Sequence, residues 1–168
     1  MRMDRVSYYL AIAKTVAERS PCVRRKFGAI IVKNDRIVGS GYNGTARGTL
    51  NCGIDIPCIK DVANEPTTIS YEYCPAIHAE ENAIINSAPQ DRIGSTMYLA
   101  PTLGTGDLPC FKCRRKILNA QIDMIYYIDN EGCTVVGFPS EEWVVKENNW
   151  MYSQLEKANP HWKEEMVE

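Results

Sequence analysis

His78-Ala79-Glu80-Glu81-Asn82-Ala83-Ile84 and Pro109-Cys110-Phe111-Lys112-Cys113 are the two stretches on which the reading of this chain turns. Each opens a run of helix formers shortly after a proline, Pro75 or Pro109, a residue suited to a helix start. Cysteines at i and i+3 on a first helical turn lie on nearly the same face. Both sulfurs of Cys110 and Cys113 can therefore reach one ion at about 2.3 Å in a tetrahedral site. The positive end of the helix favours thiolate over thiol. Two soft thiolates with one imidazole, from His78, suit zinc. Three protein ligands leave a fourth position for water, whose pKa zinc lowers to about 7 or somewhat above. Glu80 as a fourth ligand would close that position. Residues two apart on a regular helix also point about 200° apart. His78 is therefore expected at the helix mouth, before regular geometry begins, with Glu80 folding back to carry protons. Taken alone, Cys-x-x-Cys is as often a structural zinc half-site or a redox pair, and His-x-Glu carries little.

Working outward, apolar residues at helical spacing predict a first helix over 4–19, stopped by Ser20-Pro21. Residues 27–33 and 36–40 read as strands of a hairpin around Asn34-Asp35. Residues 43–73 are irregular and glycine- and proline-rich, a long unsupported stretch that calls for a staple; Cys52, Cys58 and Cys74 lie within it or at its end. Further on, the pattern predicts helices over 78–87, 110–120 and 141–157, strands over 96–100, 124–128 and 134–136, and a mobile tail from 159 to 168. Arg114-Arg115-Lys116 reads as exposed helix surface. The α-β-β-α-β-α-β-β-α order predicts one α/β domain over 1–168, with its core over 4–158: a mixed sheet with helices on both faces.

Composition narrows the function classes. Nineteen basic and 21 acidic side chains leave a net charge of −2, so the basic excess of a protein that tracks nucleic acid is absent. No apolar stretch approaches the ~20 residues of a membrane span, and the start of the chain lacks an apolar signal core, so a cytoplasmic protein without membrane partners is expected. Seven cysteines, an odd number, argue for metal or redox chemistry over a disulfide framework. Arg24-Arg25-Lys26 at the mouth of the first strand can hold one phosphate through forked donors, or be a solvated charge run.

His-x-Glu followed by Pro-Cys-x-x-Cys is the signature of zinc deaminases. With Cys22-Val-Arg-Arg-Lys-Phe-Gly-Ala-Ile-Ile-Val32 and Gly41-Tyr42-Asn43-Gly44, it makes the chain resemble the cytidine and deoxycytidylate deaminase superfamily, nearest its deoxycytidylate branch, over about residues 4–128. The resemblance implies a three-layer α-β-α fold on a five-stranded sheet. It implies hydrolytic, zinc-dependent conversion of dCMP to dUMP and ammonia, with His78, Cys110 and Cys113 as zinc ligands. Glu80 is then the catalytic acid–base that protonates N3 and the departing amine. Substrate contacts fall to Arg24, Arg25, Lys26, Asn43 and Ala79. In some relatives the Gly41–Gly44 stretch helps to bind a regulatory nucleotide; dCTP or dTTP control, Mg2+ with a triphosphate effector, and a homo-oligomer such as a hexamer follow from the same resemblance. A second, structural zinc on Cys22, Cys52, Cys58 and Cys74 is also implied, against the plainer reading of small buried thiols. Relatives pass to Pro-Cys through one or two residues, whereas here the loop 102–108 intervenes beside the zinc. Two alternatives stand beside this reading: a deaminase of another cytosine nucleoside or nucleotide, and a non-catalytic zinc-stabilised protein of the kind associated with bacterial competence.

Overall fold

Asp4 starts the first helix. Its carboxylate accepts the Ser7 amide at 2.9 Å, and α1 (Arg5–Ala17) follows, burying Tyr9, Leu10, Ala13 and Ala17 at helical spacing. In a computed structural model of the chain, the described residues are 2–63, 73–104, 108–128, 135–161 and 163. The strands β1 (Phe27–Lys33) and β2 (Arg36–Tyr42) form the expected hairpin. Asn34 and Asp35 carry φ of 50° and 61°, the left-handed pair that a two-residue turn of type I′ requires. The Tyr9 hydroxyl donates to the Asp35 carboxylate at 2.7 Å and ties this turn to α1. Burial and the carboxylate together push the Tyr9 pKa up to about 12.

The chain continues through α2 (Ile59–Ala63), α3 (Ala79–Ile85), α4 (Pro89–Arg92), β3 (Ser95–Pro101), α5 (Phe111–Asn119), β4 (Ile122–Ile128), β5 (Val135–Pro139) and α6 (Glu141–Ala158). The sheet order is β2-β1-β3-β4-β5, parallel only between β3 and β4. The expected mixed five-stranded sheet is thus present. Two short helices, α2 and α4, were not expected from the pattern: each is too short to show a helical period. α2 lies inside the stretch read as irregular. The last strand runs later than the predicted 134–136, and Thr134 lies outside the described residues. Residues 105–107 of the loop 102–108, the tail positions 162 and 164–168, and Cys133 also lie outside them.

Alternation along the central strands builds two cores. Ala29 and Ile31 of β1 with Met97 and Leu99 of β3 face α3, α5 and Trp143 of α6. Ile30 and Val32 with Tyr98 and Ala100 face α1. The helices therefore cover both faces of the sheet. On the α3 side the approach is close: a Cβ on Gly41 would lie 2.3 Å from the Ala83 nitrogen and 2.6 Å from the Ala79 oxygen. Asn82 of α3 and its C-cap Asn86 donate to the carbonyls of Tyr42 and Ser40 at 2.8 and 2.9 Å, fastening the helix along the edge strand β2. No helix among the described residues is long and apolar enough to cross a membrane.

Candidate active site

The first turns of α3 and α5 meet over β1 and β3. His78 is the N-cap of α3, in extended conformation (φ −71°, ψ 156°), and makes no side-chain cap bond. It therefore stands outside the regular helix, as the spacing of His78 and Glu80 required. Gly44 and Ile77 exchange backbone hydrogen bonds of 3.1 and 2.8 Å, which hold the approach to His78 against the chain leaving β2. Cys110 occupies the same position at α5 (φ −61°, ψ 160°), again without a side-chain cap bond, and Cys113 lies buried on the first turn.

His78 Nδ1 lies 3.6 Å from Cys110 Sγ and 3.4 Å from Cys113 Sγ. A tetrahedral zinc with sulfur at about 2.3 Å and nitrogen at about 2.0–2.1 Å separates such donors by about 3.6 Å. The donor atoms of all three residues fall within 4.8 Å of one another, so this set fits a zinc ion in both spacing and chemistry. A salt bridge between Lys116 of α5 and Glu81 of α3 ties the two ligand-bearing helices together.

The electrostatics of the metal-free cluster follow from crowding. A hydrogen bond from the Cys113 thiol holds Cys110 well below the usual thiol range, while the same bond and burial push Cys113 far up, so the pair keeps one proton. The hydrogen bond to Cys110 raises His78. Glu80 is 6% exposed, and burial raises its carboxyl above the ordinary range against a smaller opposing pull from its own backbone amide and His78. A carboxyl that keeps its proton more readily than usual, beside a metal-ligand set, is suited to giving and taking protons near neutrality.

These groups open on a cavity of about 330 Å³. Phe27, Leu99 and Leu108 supply apolar wall; Asn43, His78, Ala79, Glu80 and Cys110 supply polar groups. Leu99 and Leu108 belong to no motif, and Phe27 lies in the Cys22–Val32 stretch without being singled out, because apolar residues look alike in sequence whether or not they border a cavity. Arg24 and Arg25 also line the cavity, whereas Lys26 does not; it lines a neighbouring groove. Arg24 pairs with Asp61 at 3.5 Å, and Arg25 lies over the Phe27 ring at 4.8 Å. Gly41 and Tyr42 belong to the end of β2, and only Asn43 and Gly44 lie beyond the strand. The Asn43 carboxamide accepts from the Phe27 amide at 2.7 Å and donates to the Arg25 carbonyl at 2.8 Å, so it shapes the cavity rim as well as lining it.

Cys22, Cys52, Cys58 and Cys74 all reach the mouth of this cavity as free thiols. They do not form a compact donor set: among the described residues, His78, Cys110 and Cys113 are the group of three or more metal-ligating side chains drawn together. The reading of Arg114-Arg115-Lys116 as exposed helix surface holds for Arg115 and Lys116 and is corrected for Arg114. Arg114 is half-buried and donates to the Pro109 carbonyl, Arg115 pairs with Glu147 of α6, and Lys116 pairs with Glu81. Charge runs look alike in sequence whether they meet water or a neighbouring helix.

Residues 3–129 match the sequence profile of the cytidine and deoxycytidylate deaminase zinc-binding region. A deoxycytidylate deaminase of Mycobacterium phage D29 is 34% identical over 133 residues, which are 75% of this chain and 95% of that protein. The deoxycytidylate deaminase of Saccharomyces cerevisiae is 35% identical over 127 residues, 76% of this chain but 38% of that protein, so the chain spans nearly all of the phage relative and well under half of the yeast one. The dCMP deaminase of cyanophage S-TIM5, solved in apo form and in complex with dCMP and dUMP, superposes with TM-scores of 0.55 and 0.52 at 27% and 26% identity. The superpositions cover 79% and 75% of this chain and 90% and 83% of those chains. With residues 3–129 matched and the metal-ligand triad in place, the chain belongs to the cytidine and deoxycytidylate deaminase family.

Proposed function

We propose that the protein hydrolyses the exocyclic amine of dCMP, releasing dUMP and ammonia. The observation that carries this reading is the juxtaposition of Glu80, a buried carboxyl with a raised pKa, with the His78/Cys110/Cys113 donor set at the end of an apolar cavity. Zn2+ held by those three residues supplies Lewis acidity that makes water a nucleophile near neutral pH. Glu80 takes one proton from the water and delivers it to ring N3, then takes the second from the hydroxyl formed at C4 and gives it to the departing amine, leaving a C4 carbonyl and ammonia. Ala79 is fully buried at the first position of α3, where a helix leaves its amide without an intrahelical acceptor; that amide suits a carbonyl of the pyrimidine. Phe27, Leu99 and Leu108 exclude water around the ring. Asn43 faces the sugar, and Arg24 and Arg25 at the rim meet the phosphate, with Lys26 adding long-range charge from the adjoining groove.

The cyanophage relative bound to dCMP and dUMP supports this choice of nucleotide over free nucleoside. Purified protein is expected to release ammonia from dCMP and little from cytidine. Arg24→Ala with Arg25→Ala is expected to raise KM for dCMP with kcat less affected, since phosphate binding far from the reacting carbon is made in ground and transition state alike. Turnover of cytidine with none of dCMP overturns the phosphate assignment.

Four finer readings rest on single features. A second Zn2+ on Cys22, Cys52, Cys58 and Cys74 is supported by their shared place at one cavity mouth; two zinc ions per chain by metal analysis is the result expected of it, and one refutes it. Regulation by dCTP or dTTP, with Mg2+, rests on the Gly41–Gly44 sequence, and a homo-oligomer on the deoxycytidylate-branch resemblance. Cytoplasmic action accords with a phosphorylated substrate. Sedimentation with and without each triphosphate tests effectors and assembly together.

A further inference from the structure

We propose that Arg114 is a positioning residue for the metal site, setting the direction of the Cys110 sulfur; this rests on the reading of His78, Cys110 and Cys113 as zinc ligands. Arg114 holds both peptide planes that meet at Cys110. Its guanidinium Nε donates to the Pro109 carbonyl at 2.6 Å, and its backbone amide donates to the Cys110 carbonyl at 2.9 Å. Cys110 is an N-cap, outside the regular helix and without a side-chain cap bond, so the helix alone does not fix its backbone. The amide bond is the first i→i−4 bond of α5, which any residue but proline would make; the Nε bond to Pro109 is what the arginine side chain adds, and the two together set φ and ψ and with them the Cα–Cβ bond that carries the sulfur.

The guanidinium is itself held. It lies over the Trp143 ring, 5.8 Å from the centroid, and Trp143 is 2% exposed and stacked on Phe138 at 5.2 Å. The metal-ligating turn is in this way braced through Arg114 against α6. A planar fork with a donor at Nε and a flat face for the indole meets both demands, and a lysine ammonium meets neither. Partners that orient metal ligands in this manner govern metal affinity.

The test compares wild type, Arg114→Lys, Arg114→Ala and Trp143→Phe as full-length protein. The readouts are Zn2+ affinity by chelator competition, the thiolate-to-metal charge-transfer absorption of the Co2+-substituted protein, circular dichroism, and kcat and KM for dCMP. Both Arg114 variants are expected to lose about 10–100-fold in Zn2+ affinity with an altered Co2+ band, a lower kcat and KM within about threefold, while Trp143→Phe, which keeps an aromatic face, stays within about threefold of wild type throughout. Should Arg114→Ala fail to fold, Arg114→Lys, with its charge and aliphatic stem retained, carries the test. Wild-type affinity and an unchanged Co2+ band in Arg114→Lys overturn the proposal, as does an affinity loss in both variants matched by loss of helical signal. A wild-type protein with no thiolate–Co2+ band overturns the metal assignment itself, and the role of Arg114 with it.

Discussion

Glu80 places function and stability in opposition. Burial raises its pKa, so the folded protein binds this proton to a higher pH than the unfolded chain does. Where the folded state binds more protons, stability falls as pH rises. In the metal-free protein this contribution is fully present below the unfolded pKa of about 4.3 and is lost as pH climbs through the folded value. Glu80→Gln removes the titration. The variant is expected to match metal-free wild type in stability at low pH and to exceed it progressively above, by about 1.4 kcal/mol for each unit of pKa elevation, in urea melts across a pH series. Its deaminase activity is expected to fall by about 10²–10⁴-fold with zinc retained, since only the proton carrier is lost. Undiminished deaminase activity in that variant overturns Glu80 as the proton carrier. That His78, Cys110 and Cys113 come together, with Glu80 beside them, was legible in the sequence because metal chemistry restricts both residue type and spacing. Arg114 was not, because its partners, a carbonyl and an indole, impose no motif.

At the scale of elements, the position of α3 decides whether His78 reaches the cysteines. That helix seats on glycine: at Gly41 a Cβ would meet helix backbone on three atoms closer than 3.0 Å. Gly41→Ala is therefore expected to cost about 1–3 kcal/mol in chemical denaturation and to lower metal affinity, as α3 is lifted from β2. The Gly41–Gly44 stretch, tied by resemblance to nucleotide binding, also carries structure. Gly41 admits the helix, Asn43 staples residues 25–27, and Gly44 pairs with Ile77 ahead of His78. The long elements were readable from their periods, and the Asn34-Asp35 turn from residues that tolerate positive φ. α2 and α4, with no full period to display, were not.

Across the whole molecule, the metal would join helices that stand on different strand connections, at a point where each contributes an N-cap and its first turn. Chelation is expected to destabilise the protein in proportion to that linkage. With free zinc a thousandfold above its dissociation constant, binding contributes about 4 kcal/mol, so removal is expected to lower Tm by roughly 8–16 °C in a chain of this size. An unchanged Tm after verified metal removal contradicts a site formed only in the folded state.

Much of this protein was determined by sequence alone: the alternation of α and β segments, the metal-ligating triad and the acid beside it. Each rests on a local rule, either a hydrophobic period or a spacing that one ion can satisfy. Tertiary structure decided what depends on distant chain segments meeting. It carried Arg24 and Arg25 to the cavity rim and left Lys26 in the next groove, and it turned a basic run on α5 into three separate clasps. It also gathered four cysteines at one mouth without closing them into a compact site. A side chain's type sets which contacts it can make, but the identity of its partner is a property of the packed fold.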